Sequence, residues 1–181
     1  MNLPNRLTLV RILTIPLFLT AAVLPVPYGK YLTVALFLIG AGTDAVDGYL
    51  ARRQGQKTRL GTLIDPLADK LLVSAALITL VEIQQLPGWV AMVIIGRELA
   101  VTGLRSFLAA EGTVVPAGFL GKIKTALQIV AIGVLFLQET PYRLRELTPG
   151  NLVMTTAVVF TVWSGFDYFN RWWVQLKEGG Y

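Results

Sequence analysis

The sequence predicts an all-α integral membrane protein: six transmembrane helices, preceded by a short amphipathic N-terminal surface segment, forming a single domain over residues 1–181. Three observations lead there. Hydrophobic residues make up 54% of the chain against 15% charged, with a mean hydropathy of +0.61, a balance foreign to a soluble domain of this length. Six long apolar runs follow one another, most of them long enough to cross a hydrocarbon core of about 30 Å at about 1.5 Å per residue. Pro25, Pro27 and Gly29, then Pro87 and Gly88, then Pro141, Pro149 and Gly150 separate the runs. There is no internal repeat, and without cysteine there is no disulfide framework.

The first run, Thr8 to Pro25, follows Arg6 and ends near Ala21 and Ala22, a pattern that a cleaved signal peptide would share. Arg11 and Pro16 interrupt its core and five further runs follow, so an uncleaved helix fits better, with Met1 to Arg6 lying along the membrane surface. The second run, Tyr31 to Arg53, carries Gly40 and Gly42, which permit close helix packing, and then Asp44 and Asp47. Counted from Tyr31, these acids lie about 20 and 24 Å along the helix, close to its far edge. The third, Thr62 to Gln84, returns with Asp65 and Asp69 at depths of about 5 and 10 Å, so all four acids meet at one level. Pro66 falls near the start of this run, where a missing N–H removes few intrahelical bonds.

The fourth run, Gly88 to Ala110, carries Arg97 roughly 14 Å into its helix, with Arg105 eight residues on. Glu98 is not expected to face Arg97, because adjacent residues point to different sides of a helix. The fifth, Gly121 to Gln138, opens on G-K-I-K-T with Lys122 and Lys124. The sixth, Asn151 to Gln175, ends in Tyr168, Trp172 and Trp173, residues suited to an interfacial belt.

Basic residues set the expected orientation. At one side fall Arg6, Arg11, Arg52, Arg53, Lys57, Arg59, Lys70, Arg97, Arg105, Lys122, Lys124, Arg171 and Lys177; at the other fall Lys30, Arg143 and Arg145. The positive-inside rule then puts the first group, both termini and the aspartate-bearing connection in the cytoplasm. Solvation and attraction to anionic membrane lipids account for the excess.

Asp44, Asp47, Asp65 and Asp69 form the pattern D-x2-D-G-x2-A-R-x8-G-x3-D-x3-D. A carboxylate at hydrocarbon depth costs on the order of 2.5–3.5 kcal/mol on insertion scales, so the set demands compensating positive charge. Spacings of i,i+3 and i,i+4 put each pair on one face of its helix. Oxygen donors select hard ions such as Mg²⁺ or Mn²⁺. With neither Cys nor His in the chain, zinc has no soft or imidazole ligand, and histidine acid–base chemistry and Ser-His-Asp triads are excluded. Metal-supported phosphate chemistry remains; the alternative is a set of salt bridges to Arg52, Arg53, Lys57 and Lys70.

The string resembles the signature of the CDP-alcohol phosphatidyltransferase family, with every fixed position filled: Asp44, Asp47, Gly48, Ala51, Arg52, Gly61, Asp65 and Asp69. Four further segments resemble the branch of that family that makes phosphatidylglycerophosphate: Ile95 to Arg105, Gly121 to Thr125, Ser164 to Phe169, and the N-L-P-N opening from Asn2 to Asn5 followed by Thr8 and Arg11. The resemblance covers nearly the whole chain. It implies transfer of a phosphatidyl group from CDP-diacylglycerol to sn-glycerol 3-phosphate with release of CMP. It further implies that Asp44, Asp47, Asp65 and Asp69 hold Mg²⁺ or Mn²⁺, as a pair of ions about 3.5–4 Å apart, and that Asp69 is the general base. Asp44, Gly48 and Arg52 would contact the CDP portion, with Gly61 allowing the connecting turn. A homodimer in a bacterial inner membrane, with its active site at the cytoplasmic face, completes the implied picture.

Arg97, Arg105 and Lys122 are expected to bind the phosphate of glycerol 3-phosphate, since a dianionic acceptor needs cations that a neutral alcohol does not. Salt bridges joining helices are the alternative for the arginines, and a positive-inside anchor for Lys122 and Lys124. Lys124 and Asp167 receive no role. Two other functions compete: a sibling transferase using inositol phosphate, serine or phosphatidylglycerol as acceptor, and a divalent-cation transporter. Transporter sites lie near the midplane between repeats, whereas these acids lie toward one face. No nucleic-acid partner is expected, and a purely structural role leaves the carboxylates unexplained.

Overall fold

The computed structural model describes residues 3–24, 27–54, 59–110, 119–139 and 147–178. These form six α-helices: α1 (Leu3–Val23), α2 (Gly29–Gln54), α3 (Arg59–Glu82), α4 (Gly88–Ala110), α5 (Phe119–Leu137) and α6 (Pro149–Glu178). No strand occurs among the described residues. Each helix overlays one of the apolar runs, and α4 coincides with its run from end to end. Two points differ in detail. Helix α1 is continuous from Leu3, so Leu3 to Arg6 are its first turn and not a separate element. Helix α3 begins at Arg59, which places Pro66 inside it, where the missing N–H removes an intrahelical bond that α-helices in apolar surroundings tolerate.

Helix ends follow from local chemistry. Thr148 caps α6, its hydroxyl accepting from the Asn151 N–H at 3.2 Å, and Pro149 occupies the first helical position, where no N–H is needed. Helix α3 closes through Gln84, held at φ 60°, with the N–H groups of Gln85 and Leu86 both donating to the Leu80 carbonyl. Within the helices, the hydroxyls of Thr14, Thr33, Thr79 and Thr161 donate to the carbonyl four residues earlier. That bond satisfies a polar group wherever water is absent.

Consecutive helices alternate in direction, the C-terminal ends of α1, α3 and α5 meeting the N-terminal ends of α2 and α6, and α3 touches α1, α2, α4 and α5. The main core draws Phe18 from α1, Phe37 from α2, Leu72, Leu77 and Leu80 from α3, Ile94 from α4, Ile132 and Leu135 from α5 and Ala157 from α6. Phe18 stacks edge-on against Phe136 at 5.5 Å and tilts against Phe37 at 6.1 Å, locking α1, α2 and α5 together. Gly40 makes the α2–α3 contact possible: a Cβ there would stand 2.7 Å from Cδ2 of Leu72, itself fully buried. Gly42, expected to act likewise, meets nothing within 4 Å, because it lies on the outer side of α2.

Large apolar side chains also face outward. Leu17, Ile39, Ile78, Met92, Leu99, Val130, Val159 and Phe166 are exposed, with every helix represented. An apolar exterior of this extent marks a membrane or protein contact surface. Among the described residues, Leu120–Leu137 and Pro149–Val174 are long and apolar enough to cross a membrane, and Ile12–Val23 and Gly29–Thr43 are shorter apolar stretches.

Candidate functional site

Helices α2 and α3 pack against each other and carry the signature between them. Asp44, Asp47, Gly48 and Arg52 lie in the C-terminal half of α2; Gly61, Asp65 and Asp69 lie in the N-terminal half of α3. The alternation of the helices therefore brings both pairs of acids to one end of the bundle. The side chains of residues 44–69 lie outside the described residues. The donor set itself fits a hard divalent cation: four carboxylates, two on each of two packed helices, in a chain without His or Cys. Among the described residues no three His, Cys, Asp or Glu side chains converge.

Next to this end stands a buried ionic cluster centred on Glu98 of α4, which is 6% exposed. Its Oε2 accepts from Lys70 of α3 at 3.1 Å, and its Oε1 accepts from Lys124 of α5 and from Nη1 of Arg97 at 3.4 Å. Arg97 reaches α6 as well, its Nη2 donating to Ser164 Oγ at 3.0 Å. Gly165 makes room for that arm: a Cβ there would be 3.1 Å from Cγ of Arg97. One carboxylate thus joins three helices directly and a fourth through arginine. One turn further along α5, Gln128 donates to Thr161 Oγ1 at 2.9 Å and ties α5 to α6 again.

This cluster corrects one expectation and fills one gap. Glu98 does meet Arg97, because both side chains are long enough to swing across the 100° that separates adjacent residues on a helix. Lys124, to which the sequence assigns no role, is buried against Glu98, at 3% exposed. Two sequence positions away, and so nearly opposite on the helix, Lys122 is exposed. The signal in the sequence is Glu98 itself: an acid in the middle of an apolar run demands a cation from another helix.

The expected acceptor residues separate into two kinds. Arg97 is largely buried and held by Glu98 and Ser164, with its Nε lacking a partner. Arg105 and Lys122 are exposed and form no ion pair among the described residues. Arg105 lies beside the small cluster of Val101, Leu108 and Tyr168, onto which Leu104 and Trp172 pack. Asp167, also without a role, pairs with Arg171 one turn on at 3.0 Å.

A cleft of about 630 Å³, lined by Ala21, Tyr31, Gln85, Phe136 and Glu139 among others, opens at the opposite end of the bundle. None of its lining residues belongs to the signature, and it is not the site of the signature chemistry.

Comparison with known proteins bears on the family. The family model described as CDP-alcohol phosphatidyltransferase matches residues 1–163. The chain is 47% identical to the CDP-diacylglycerol--glycerol-3-phosphate 3-phosphatidyltransferase of Bacillus subtilis (strain 168), over 97% of each chain. It is 37% identical to the protein of the same name from Pseudomonas fluorescens, covering 99% of this chain and 94% of that one. With the like-named Haemophilus influenzae protein the identity is 36%, over 98% and 94% of the two chains. A match across most of the chain, with the aspartate signature on two packed helices at one end of a helical bundle, places the protein: it belongs to the CDP-alcohol phosphatidyltransferase family.

Proposed function

We propose that this protein transfers the phosphatidyl group of CDP-diacylglycerol to sn-glycerol 3-phosphate, forming phosphatidylglycerophosphate and CMP for phospholipid synthesis. The observation that carries the reading is end-to-end similarity to bacterial proteins bearing that activity in their names, together with a complete aspartate signature. The enzyme works in a membrane with all six helices spanning and Met1 to Arg6 at the surface. Its signature end and both termini face the cytoplasm of a bacterial cell, surrounded by membrane lipids, and it functions as a homodimer. Support comes from the apolar exterior on every helix and from the basic residues gathered at the signature end.

Asp44, Asp47, Asp65 and Asp69 would hold Mg²⁺ or Mn²⁺, which when bound neutralises the diphosphate and polarises it toward attack. The remaining roles belong to the chain. Asp44, Gly48 and Arg52 seat the CDP portion, Gly48 by permitting close backbone approach and Arg52 by its forked donors, while Gly61 allows the turn into α3. Asp69 takes the proton of the acceptor hydroxyl as its oxygen bonds to the phosphatidyl phosphorus, and the bond from that phosphorus to CMP breaks. Arg97, Arg105 and Lys122 bind the acceptor's phosphate, the exposed Arg105 and Lys122 being directly available to it.

The test is CMP release by purified protein from CDP-diacylglycerol with Mg²⁺, with and without glycerol 3-phosphate, beside Asp69→Asn. Release that requires the acceptor, and falls about 10²–10⁴-fold in the variant, is the expected result. Release with inositol phosphate, serine or phosphatidylglycerol in its place would move the protein to a sibling reaction.

A further inference from the structure

Three cations converge on Glu98, and compensating a buried carboxylate requires only one. Lys124 and Lys70 come from neighbouring helices and are sufficient to keep Glu98 charged. Arg97 is different, because it is gripped from two sides. Its Nη1 is on Glu98 and its Nη2 is on Ser164, while Gly165 leaves the slot through which the arm passes. One donor, Nε–H, is buried without a partner. Buried donors of this kind are rare in folded proteins unless a ligand or water completes them. The guanidinium is held at fixed geometry with a donor in reserve.

We propose that Glu98 is a positioning residue for the transfer reaction: with Ser164 it fixes the Arg97 guanidinium in the orientation that receives the phosphate of the acceptor. The proposal rests on the reaction assigned above and adds to it a residue that never touches substrate. Holding a cation before the ligand arrives removes the ordering cost from the binding step, so the effect falls on acceptor affinity. Glu98 also holds Lys70 of α3, next to Asp69, so the KM for CDP-diacylglycerol is the readout that a general disturbance of α3 would move.

The experiment measures KM for glycerol 3-phosphate and for CDP-diacylglycerol separately in wild type, Glu98→Gln, Glu98→Asp and Ser164→Ala. Glu98→Gln is expected to raise the acceptor KM by about ten-fold or more, as loss of one partner of a buried charge pair does, while the KM for CDP-diacylglycerol stays within about two-fold. Glu98→Asp, which keeps the charge on a shorter arm, should recover part of the loss, and Ser164→Ala should show a smaller rise in the same parameter. In an Arg97→Ala background Glu98→Gln should add less than about two-fold, since its effect runs through the arginine. If Glu98→Gln alone fails to fold, Glu98→Gln combined with Lys124→Met removes both members of one buried pair together and carries the same expectation. Equal changes in both KM values, or lower thermal stability with the acceptor KM unchanged, would overturn the proposal and leave Glu98 as a helix tie. Absence of glycerol-3-phosphate-dependent release by the wild type would overturn the assigned reaction, and this proposal with it.

Discussion

Arg105 and Lys122 are exposed while Arg97 is largely and Lys124 fully buried, and this difference decides what each can do. An exposed cation changes partner freely, so Arg105 is suited to capture a diffusing phosphate. Arg105→Ala is expected to raise the KM for glycerol 3-phosphate about ten-fold with the KM for CDP-diacylglycerol unaltered, because one charge-assisted contact of about 1.5–3 kcal/mol is lost. An unchanged acceptor KM would remove Arg105 from the site. Asp167 lies at the other extreme: its partner Arg171 is more than half exposed, and such pairs contribute about 0–1 kcal/mol. Asp167→Asn should therefore leave both turnover and melting temperature close to wild type, which a thermal scan in detergent and the CMP-release assay would show.

Among the helices, the decisive contacts are those where two backbones approach closely. Gly40 has Leu72 against it and Gly42 has open space, so the same substitution should have opposite consequences two residues apart. Gly40→Ala drives a methyl into a fully buried leucine and is expected to cost about 1–3 kcal/mol, read as a lower melting temperature. Gly42→Ala should be neutral or slightly stabilising, since alanine is the better helix former by about 1 kcal/mol. Similar melting temperatures for the two variants would refute the tight α2–α3 contact. Both glycines look alike in the sequence, because helical facing separates them and no local pattern records which side of α2 meets α3.

At the scale of the whole molecule, orientation and metal dependence are the testable consequences. The chain contains no cysteine, so single-cysteine variants report topology against a silent background. Lys57→Cys should react with a membrane-impermeant maleimide only after the inner face is opened, and Arg143→Cys in intact cells; the reverse pattern would invert the proposed orientation. Excess chelator should abolish CMP release, with activity returning on addition of Mg²⁺ or Mn²⁺, and activity should fall in acid as the aspartates protonate and release metal. Full activity in chelator would dismiss the metal-holding role of the four carboxylates.

Sequence alone determined the helical class, the ends of most helices and the signature, because each is written in short-range pattern. Apolar runs bounded by Pro and Gly need no partner to be recognised, and acids three or four residues apart share a face on any helix. Thr148 before Pro149 caps α6 wherever that helix packs. Tertiary structure decided what depends on neighbours. Which glycine is pressed, which lysine is buried, and that Glu98 gathers Lys70, Arg97 and Lys124 follow from how α3, α4, α5 and α6 turn toward one another. A charge in an apolar run announces only that a partner exists; the choice among the available cations is made by helix packing at distances that the chain's own periodicity does not encode.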